Sequence, residues 1–287
     1  MTLKSYLEGR QTLINRALGR YLPSPRQYPG RIHEAMRYSV LGTGKRIRPI
    51  LTLAACEAAG GKLEWALPSA CALELIHAYS LVHDDLPAMD NDDFRRGRPS
   101  CHKRFGEAIG VLTGDALLTF AFEMFTRGNT PQGNGSASSS RSHHDPTTHL
   151  KVIREVARAI GTDGMIGGQV VDVAFAERKA RPKTLEYIHA RKTGALIACS
   201  VRVGALLGGA PPPIGRLLSG YGRRVGLVFQ LVDDLLDSDG AVRIYGEQTV
   251  RRKAQRLTDQ AVAALAPLKR KAEVLRELAR FILTRES

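Results

Sequence analysis

Two runs of aspartate carry the most chemistry in this sequence. The first is His77-Ala-Tyr79-Ser80-Leu-Val-His83-Asp84-Asp85-Leu-Pro87-Ala-Met-Asp90, with Asp92 and Asp93 close behind. The second is Phe229-Gln230-Leu-Val-Asp233-Asp234-Leu-Leu-Asp237, with Asp239 beyond it. In each, an apolar helical run ends in paired aspartates, and another carboxylate follows a few positions on. Asp233 and Asp237 are four apart, so a helix puts them on one face about a turn from each other. Like charges that close are costly unless a cation sits between them. Hard oxygen ligands in small number are what Mg²⁺ takes, its remaining sites going to water and substrate phosphates. The expectation is that the two clusters face each other across a cavity and hold a diphosphate through Mg²⁺.

The elements that must position these groups read as helices. Residues 2–21, 31–40 and 50–59 are predicted helical, with prolines making a loop at 23–29. Pro68 is expected to start the helix carrying the first cluster, which is apolar nearly all round and so belongs inside the protein. Asp84 and Asp90 are six apart and would lie on different faces of a straight helix. Pro87 must break that helix, and the bulge can return Asp90 towards Asp84. Further helices are predicted over 105–125, 151–159, 164–180, 185–207, the second cluster and the charged tail from Gln248. No strand-like alternation of any length is present. The predicted fold is all-α: a single domain over residues 1–287, a bundle of about ten helices around a central cavity.

Cations recur where an anion would need them. Lys45-Arg46-Ile-Arg48 lies at a loop-to-helix junction, where backbone N–H groups also favour anions; taken alone, a solvated basic turn is the plainer reading. Arg95, Arg96 and Arg98 follow the first cluster within a dozen residues, acid for metal and guanidinium for phosphate. Lys192-Thr193-Gly194 interrupts an apolar helix, which points to a buried phosphate, although a lysine can also snorkel to the surface. Gln169 and Asp172 lie three apart on another helix. Asp115 is expected to be a satisfied buried polar group. Residues 127–149 have almost no apolar side chains and are expected to be a disordered surface insertion.

The chain has 287 residues, a net charge of +14 and 43% hydrophobic residues. The basic balance fits anionic substrates. Nucleic acid is not expected as a partner, because the few aromatics are not interleaved with a basic stripe. Four scattered cysteines (Cys56, Cys71, Cys101 and Cys199) argue against a disulfide framework and for a reducing, cytoplasmic setting. The most apolar stretch, 194–209, is too short and too charged to span a membrane, so no membrane span is expected.

Taken in order, Gly44-Lys45-Arg46-Ile-Arg48-Pro49, the first cluster, Arg95-Arg96-Gly97, Lys192-Thr193-Gly194 and the second cluster resemble the trans-prenyl diphosphate synthases, most narrowly the bacterial farnesyl diphosphate synthases. The resemblance runs from the N-terminus to about Asp237 and implies an isoprenoid synthase fold and a homodimer. It implies that Lys45, Arg48, His77 and Arg96 bind the diphosphate of isopentenyl diphosphate. By the same carry-over Asp84, Asp85, Asp90, Asp233 and Asp237 ligate two or three Mg²⁺ ions, and Arg95, Lys192, Thr193 and Gln230 hold the allylic diphosphate or stabilise the cation. The implied reaction ionises the allylic C–O bond, the isopentenyl alkene attacks C1 head to tail, and the departed diphosphate takes the proton. Asp84, Asp85, Asp90, Arg95, Lys192 and Asp233 are the implied catalytic set. Tyr79, five residues before Asp84 and about 7.5 Å down the helix, with Ser80 beside it, is the implied floor of the chain-length pocket and points to a C15 product, against the alternatives of geranyl or geranylgeranyl diphosphate. The family's usual Gly-Lys pair after the second cluster is missing, with Arg243, Arg251 or Lys253 as substitutes. That departure leaves a weakly active or non-catalytic homologue as a rival. A terpene cyclase is a further rival, but it has no use for the Lys45–Arg48–His77 site.

Overall fold

The computed structural model describes residues 2–127, 145–175 and 181–285. About four-fifths of them are helical, as the sequence predicts. In chain order the helices begin α1 (Leu3–Tyr21), α2 (Gly30–Val40), α3 (Ile47–Ala59) and α4 (Leu63–Asp84). A two-strand hairpin, β1 (Phe94–Arg95) and β2 (Arg98–Pro99), precedes α5 (Cys101–Phe105) and α6 (Glu107–Thr126). Then come α7 (Pro146–Ile160), α8 (Met165–Phe175) and α9 (Pro182–Ile188), a π-helical segment (His189–Gly194) and α10 (Ala195–Leu207). The chain closes with α11 (Pro212–Asp237), α12 (Ala241–Tyr245), α13 (Glu247–Ala264), a 3₁₀ segment (Ala266–Ala272) and α14 (Glu273–Thr284).

Several expected boundaries move. α4 starts at Leu63 and carries Pro68 inside it; five residues earlier in the chain, the apolar run already suffices to start the helix. It ends at Asp84, short of Pro87, because the residue before a proline avoids the α region. Gly106, at φ +93°, separates α6, the helix expected over 105–125, from α5, a short helix that the sequence does not predict. The absence of strands needs one correction, the two-residue hairpin, whose Arg96-Gly97 turn has φ +53° and +73°, the pair of left-handed conformations that suits a tight hairpin. Residues 128–144, most of the expected insertion, lie outside the described residues. Its last residues are helical, since Asp145 caps α7 by accepting from the Thr147 N–H and Pro146 takes the first helical position.

The chain forms two compact units. The first comprises the described parts of Met1–Ile50 and Leu67–His143. Its core is built from Ile14 and Leu18 of α1, Val40 of α2, Leu73 and Ile76 of α4, and Leu117 and Phe125 of α6, all essentially inaccessible. Each such side chain contributes about 1.5–3 kcal/mol through burial. α6 is the one helix among the described residues long and apolar enough to cross a membrane; here it packs against α2 and α5 while leaving Val111 and Leu112 exposed.

The second unit comprises Leu51–Ala66 and the described parts of His144–Ser287. α10 is buried nearly throughout, and α11 packs against α10 and α13. The buried Tyr221 hydroxyl of α11 donates to the Leu275 carbonyl at 2.6 Å, which satisfies a polar group the core would otherwise strand. A Cβ on Gly226 would stand 2.9 Å from the Gly194 Cα, so glycine here is what lets α11 lie directly on the π-helical segment.

Candidate active site

In the first unit the α4 helix delivers Asp84 and Asp85 at its last turn. The chain then folds back, and the Asp90 N–H donates to the Asp84 carbonyl at 2.8 Å while the Asp92 N–H donates to the Asp85 carbonyl at 3.2 Å. Asp84 is half-buried and Asp90 exposed. Asp85 differs, being buried to 3%. Arg95 Nε donates to its Oδ1 at 2.9 Å, and Arg95 also pairs with Asp92 at 2.8 Å. Burial pushes the Asp85 carboxyl up, and the Arg95 hydrogen bonds oppose that rise. Its carboxylate thus orders the hairpin that carries Arg95 and Arg96.

Two turns before Asp84, His77 sits among cations. Burial first, then the guanidiniums of Arg48, Arg96, Arg46 and Arg95, hold its pKa well below the usual histidine value. Arg46 and Arg95 are each paired with an acid, so the neutral imidazole and the guanidiniums of Arg48 and Arg96 are the groups suited to an anion here. Arg96 is anchored through Nη1 to the Thr43 carbonyl at 2.9 Å, which ties the hairpin to the loop bearing the exposed Lys45. Seven residues separate His77 from Asp84, so both project from one face of α4, roughly 10 Å apart along its axis.

Between them lies Tyr79, 6% exposed, its hydroxyl buried without a hydrogen-bond partner and its ring edge-on to His83 at 5.9 Å. Burial and Asp84 push the phenol up to about 12. The neighbouring Ser80 hydroxyl is turned back onto its own helix, donating to the His77 carbonyl at 2.9 Å. His83 Nε2 bonds the Val111 carbonyl at 3.0 Å, a fit that requires Gly114, where a Cβ would stand 2.0 Å from that nitrogen. Asp115 corrects an expectation. It is exposed, not a buried polar group, because α6 turns that face outwards.

In the second unit Asp233 is half-buried and Asp237 exposed on the last turns of α11. Asp234 is buried and satisfied inside the protein: it accepts from the Ala241 N–H at 2.7 Å and from Gln230 Nε2 at 3.3 Å, and it lies 3.3 Å from His189 Nε2. Gln230 therefore supports the end of α11. Lys192 and Thr193 stand in the π-helical segment, a departure from α geometry that often marks functional sites. Lys192 Nζ pairs with Asp172 Oδ2 at 2.7 Å. Beside that pair, both amide atoms of Gln169 are buried without partners, an unsatisfied donor and acceptor that a ligand can engage.

Three participants escape a reading by sequence neighbourhood. Arg285, near the end of the charged tail, pairs with Asp233, donates to the Phe229 carbonyl at 3.0 Å and stacks on the Phe229 ring at 3.8 Å. His189 braces Asp234, and Glu74 binds Arg46 at 2.7 Å. Each contact spans many residues, so no local signal announces it. The substitutes suggested for the missing lysine are each engaged with an acid: Arg243 with Asp239 at 2.9 Å, Arg251 with Glu247 at 2.7 Å and Lys253 with Glu186 at 2.9 Å.

A helical scaffold with two aspartate-ended helices, a guanidinium cluster and a lysine on a π-helical turn defines a diphosphate-handling enzyme. Residues 29–278 match the Polyprenyl synthetase family model, and the chain belongs to that family of trans-prenyltransferases. It is 42% identical to the heterodimeric geranylgeranyl pyrophosphate synthase large subunit 1 of Arabidopsis thaliana, over 96% of this chain and 72% of that one. With the farnesyl diphosphate synthase of Geobacillus stearothermophilus it shares 39% identity over 94% and 88% of the two chains. The crystal structure of an FPP/GFPP synthase from Zymomonas mobilis superposes with a TM-score of 0.88 at 40% identity, covering 98% of this chain and 99% of that one.

Proposed function

We propose that this enzyme condenses isopentenyl diphosphate with dimethylallyl or geranyl diphosphate to give farnesyl diphosphate. The observation that carries the reading is the shared face of α4, with the guanidinium cluster about His77 at one end and Asp84 at the other. Two diphosphates need two sites, one held by fixed cations and one through metal. Lys45, Arg48, His77 and Arg96 bind the isopentenyl diphosphate. Asp84 and Asp90 in the first unit, and Asp233 and Asp237 in the second, are the carboxylates that would hold two or three Mg²⁺ ions, and Asp85 orients Arg95 within the first unit. Mg²⁺ takes few protein ligands and completes its shell with water and phosphate. When bound, magnesium supplies the positive charge that makes diphosphate a good leaving group.

The chain's own residues do the rest. Arg95 and Lys192 add charge to the allylic diphosphate, and Gln169, Thr193 and Gln230 offer dipoles to the cation that forms. Apolar α4 keeps water from it. Tyr79 stands below the cluster where a growing chain would meet it, which favours C15 over C20. The chain is read as one catalytic domain, and two of its passages between the units fall inside helices, α3 and α4. The exposed Val111 and Leu112 favour a homodimer built on α6, and four free buried cysteines favour the cytoplasm.

A second reading, a slow homologue, has one observation for it: Arg243, Arg251 and Lys253 are each tied to an acid. Exposed pairs of that kind are weak, so the enzyme is expected to turn over. Purified protein incubated with labelled isopentenyl diphosphate, each of the C5, C10 and C15 starters, and Mg²⁺ or EDTA should yield a labelled C15 product from the C5 and C10 starters, none from the C15 starter, and only with Mg²⁺. No incorporation with any starter refutes the proposal; a C20 product refutes the chain-length part of it.

A further inference from the structure

Arg46 stands between Lys45 and Arg48 in sequence, yet it is buried to 3% of its surface. Its guanidinium donates from Nη1 to Glu74 Oε1 at 2.7 Å and from Nε to Asn15 Oδ1 at 2.9 Å. Nη2 donates to the Val40 carbonyl at 2.7 Å and the Gly42 carbonyl at 2.9 Å. One side chain thus joins α1, the end of α2, the following loop and α4. Glu74 is equally hidden, at 4% exposure.

A buried ion pair adds little stability over apolar residues of the same volume, since both charges must be desolvated. Its use here lies in geometry. The Arg46 backbone is held at φ +54°, a conformation a non-glycine residue keeps only when its surroundings enforce it. Its carbonyl accepts from the Ile50 N–H at 3.0 Å and so starts the first turn of α3. The same loop is held by Gln11 Nε2 on the Gly44 carbonyl at 2.7 Å and by Arg96 on Thr43. A Cβ on Gly44 would stand 2.8 Å from Arg96 Nη1, so the loop and the hairpin arginine pass at closest approach. On α4, Glu74 lies one turn before His77.

We propose that the Arg46–Glu74 pair is a positioning clasp, locking loop 41–46 and the start of α3 to α4 so that Lys45 and Arg48 share one diphosphate with His77 and Arg96. This rests on the isopentenyl diphosphate reading above. Neither Arg46 nor Glu74 touches the substrate; each acts through the loop. A clasp of this kind governs one substrate and not the other, which a merely structural ion pair does not.

The test compares Glu74→Gln with the double variant Arg46→Met/Glu74→Leu, whose apolar replacement of a buried pair is expected to fold. Both should raise KM for isopentenyl diphosphate at least about tenfold, with KM for the allylic substrate and kcat held within about twofold. Calorimetric affinity for inorganic pyrophosphate, measured in EDTA, should fall by about the same tenfold. A folded double variant that keeps both values overturns the clasp. Should the double variant not fold, Glu74→Asp decides, because it keeps the charge but withdraws it by one methylene; an unchanged isopentenyl diphosphate KM then overturns the clasp. A wild-type protein that neither binds pyrophosphate nor uses isopentenyl diphosphate sinks the underlying reading instead.

Discussion

The Asp90 amide donates to the Asp84 carbonyl at 2.8 Å, closing the chain on itself across the end of α4. Two carboxylates six apart in sequence are thereby held on one loop, although no straight helix would put them on a common face. The link is between backbones, so it persists when either side chain is changed. Asp84→Asn and Asp90→Asn should therefore leave the melting transition within about 0.5 kcal/mol of wild type. Both should lower incorporation of labelled isopentenyl diphosphate by about 10²–10³. Undiminished turnover in Asp84→Asn removes the metal role assigned to the first cluster.

His77 gives a pH signature. Its folded pKa lies below its unfolded value of about 6.5, so the folded state binds fewer protons between the two. The stability this group contributes is present above the unfolded value and is lost as pH falls through it towards the folded one. A diphosphate bound beside it adds negative charge and should move the imidazole pKa upward. Proton NMR of the His77 ring, with and without pyrophosphate, reads that shift directly; a ring that does not move lies outside the anion site.

Arg285 competes with any cation at Asp233. The pair is one-third exposed on the Asp233 side, at 34%, which limits its strength to the order of 1 kcal/mol. Arg285→Ala should lower the Mg²⁺ concentration for half-maximal activity about three- to tenfold, and a magnesium titration at fixed substrates measures it. A higher magnesium requirement would show instead that Arg285 assists catalysis.

Tyr79 sets the product if the reading of the α4 face is right. Its hydroxyl has no hydrogen bond to lose, so Tyr79→Ala removes the bulk of the ring and its edge-on contact with His83. The cavity left costs about 3–5 kcal/mol, as other buried aromatic-to-alanine changes do. Chromatography of the dephosphorylated products should then show chains longer than C15. An unchanged product takes Tyr79 out of the chain-length argument.

Much of this protein is legible along the chain. Helical periodicity gives the all-α fold, and paired aspartates at the ends of apolar runs mark both clusters, because those signals reside within one or two turns. Pro87 already requires a break after Asp84, and the spacing of His77 and Asp84 already puts them on one face. The sequence leaves undecided what each charge meets. Asp84 and Asp85 are adjacent and chemically identical, yet Asp84 is half-buried while Asp85 is buried against Arg95. Arg46 and Arg48 are two residues apart, yet Arg46 is turned inward to Glu74. Arg285 reaches Asp233 from a distant segment of the chain, and Lys192 finds Asp172 where Gly168 lets α8 and the π-helical turn come together. Residue type and period follow from bonded neighbours, so the sequence alone settles them. Which carboxylate stays available to a ligand depends on burial and on partners brought in from distant segments, and only the folded chain decides that.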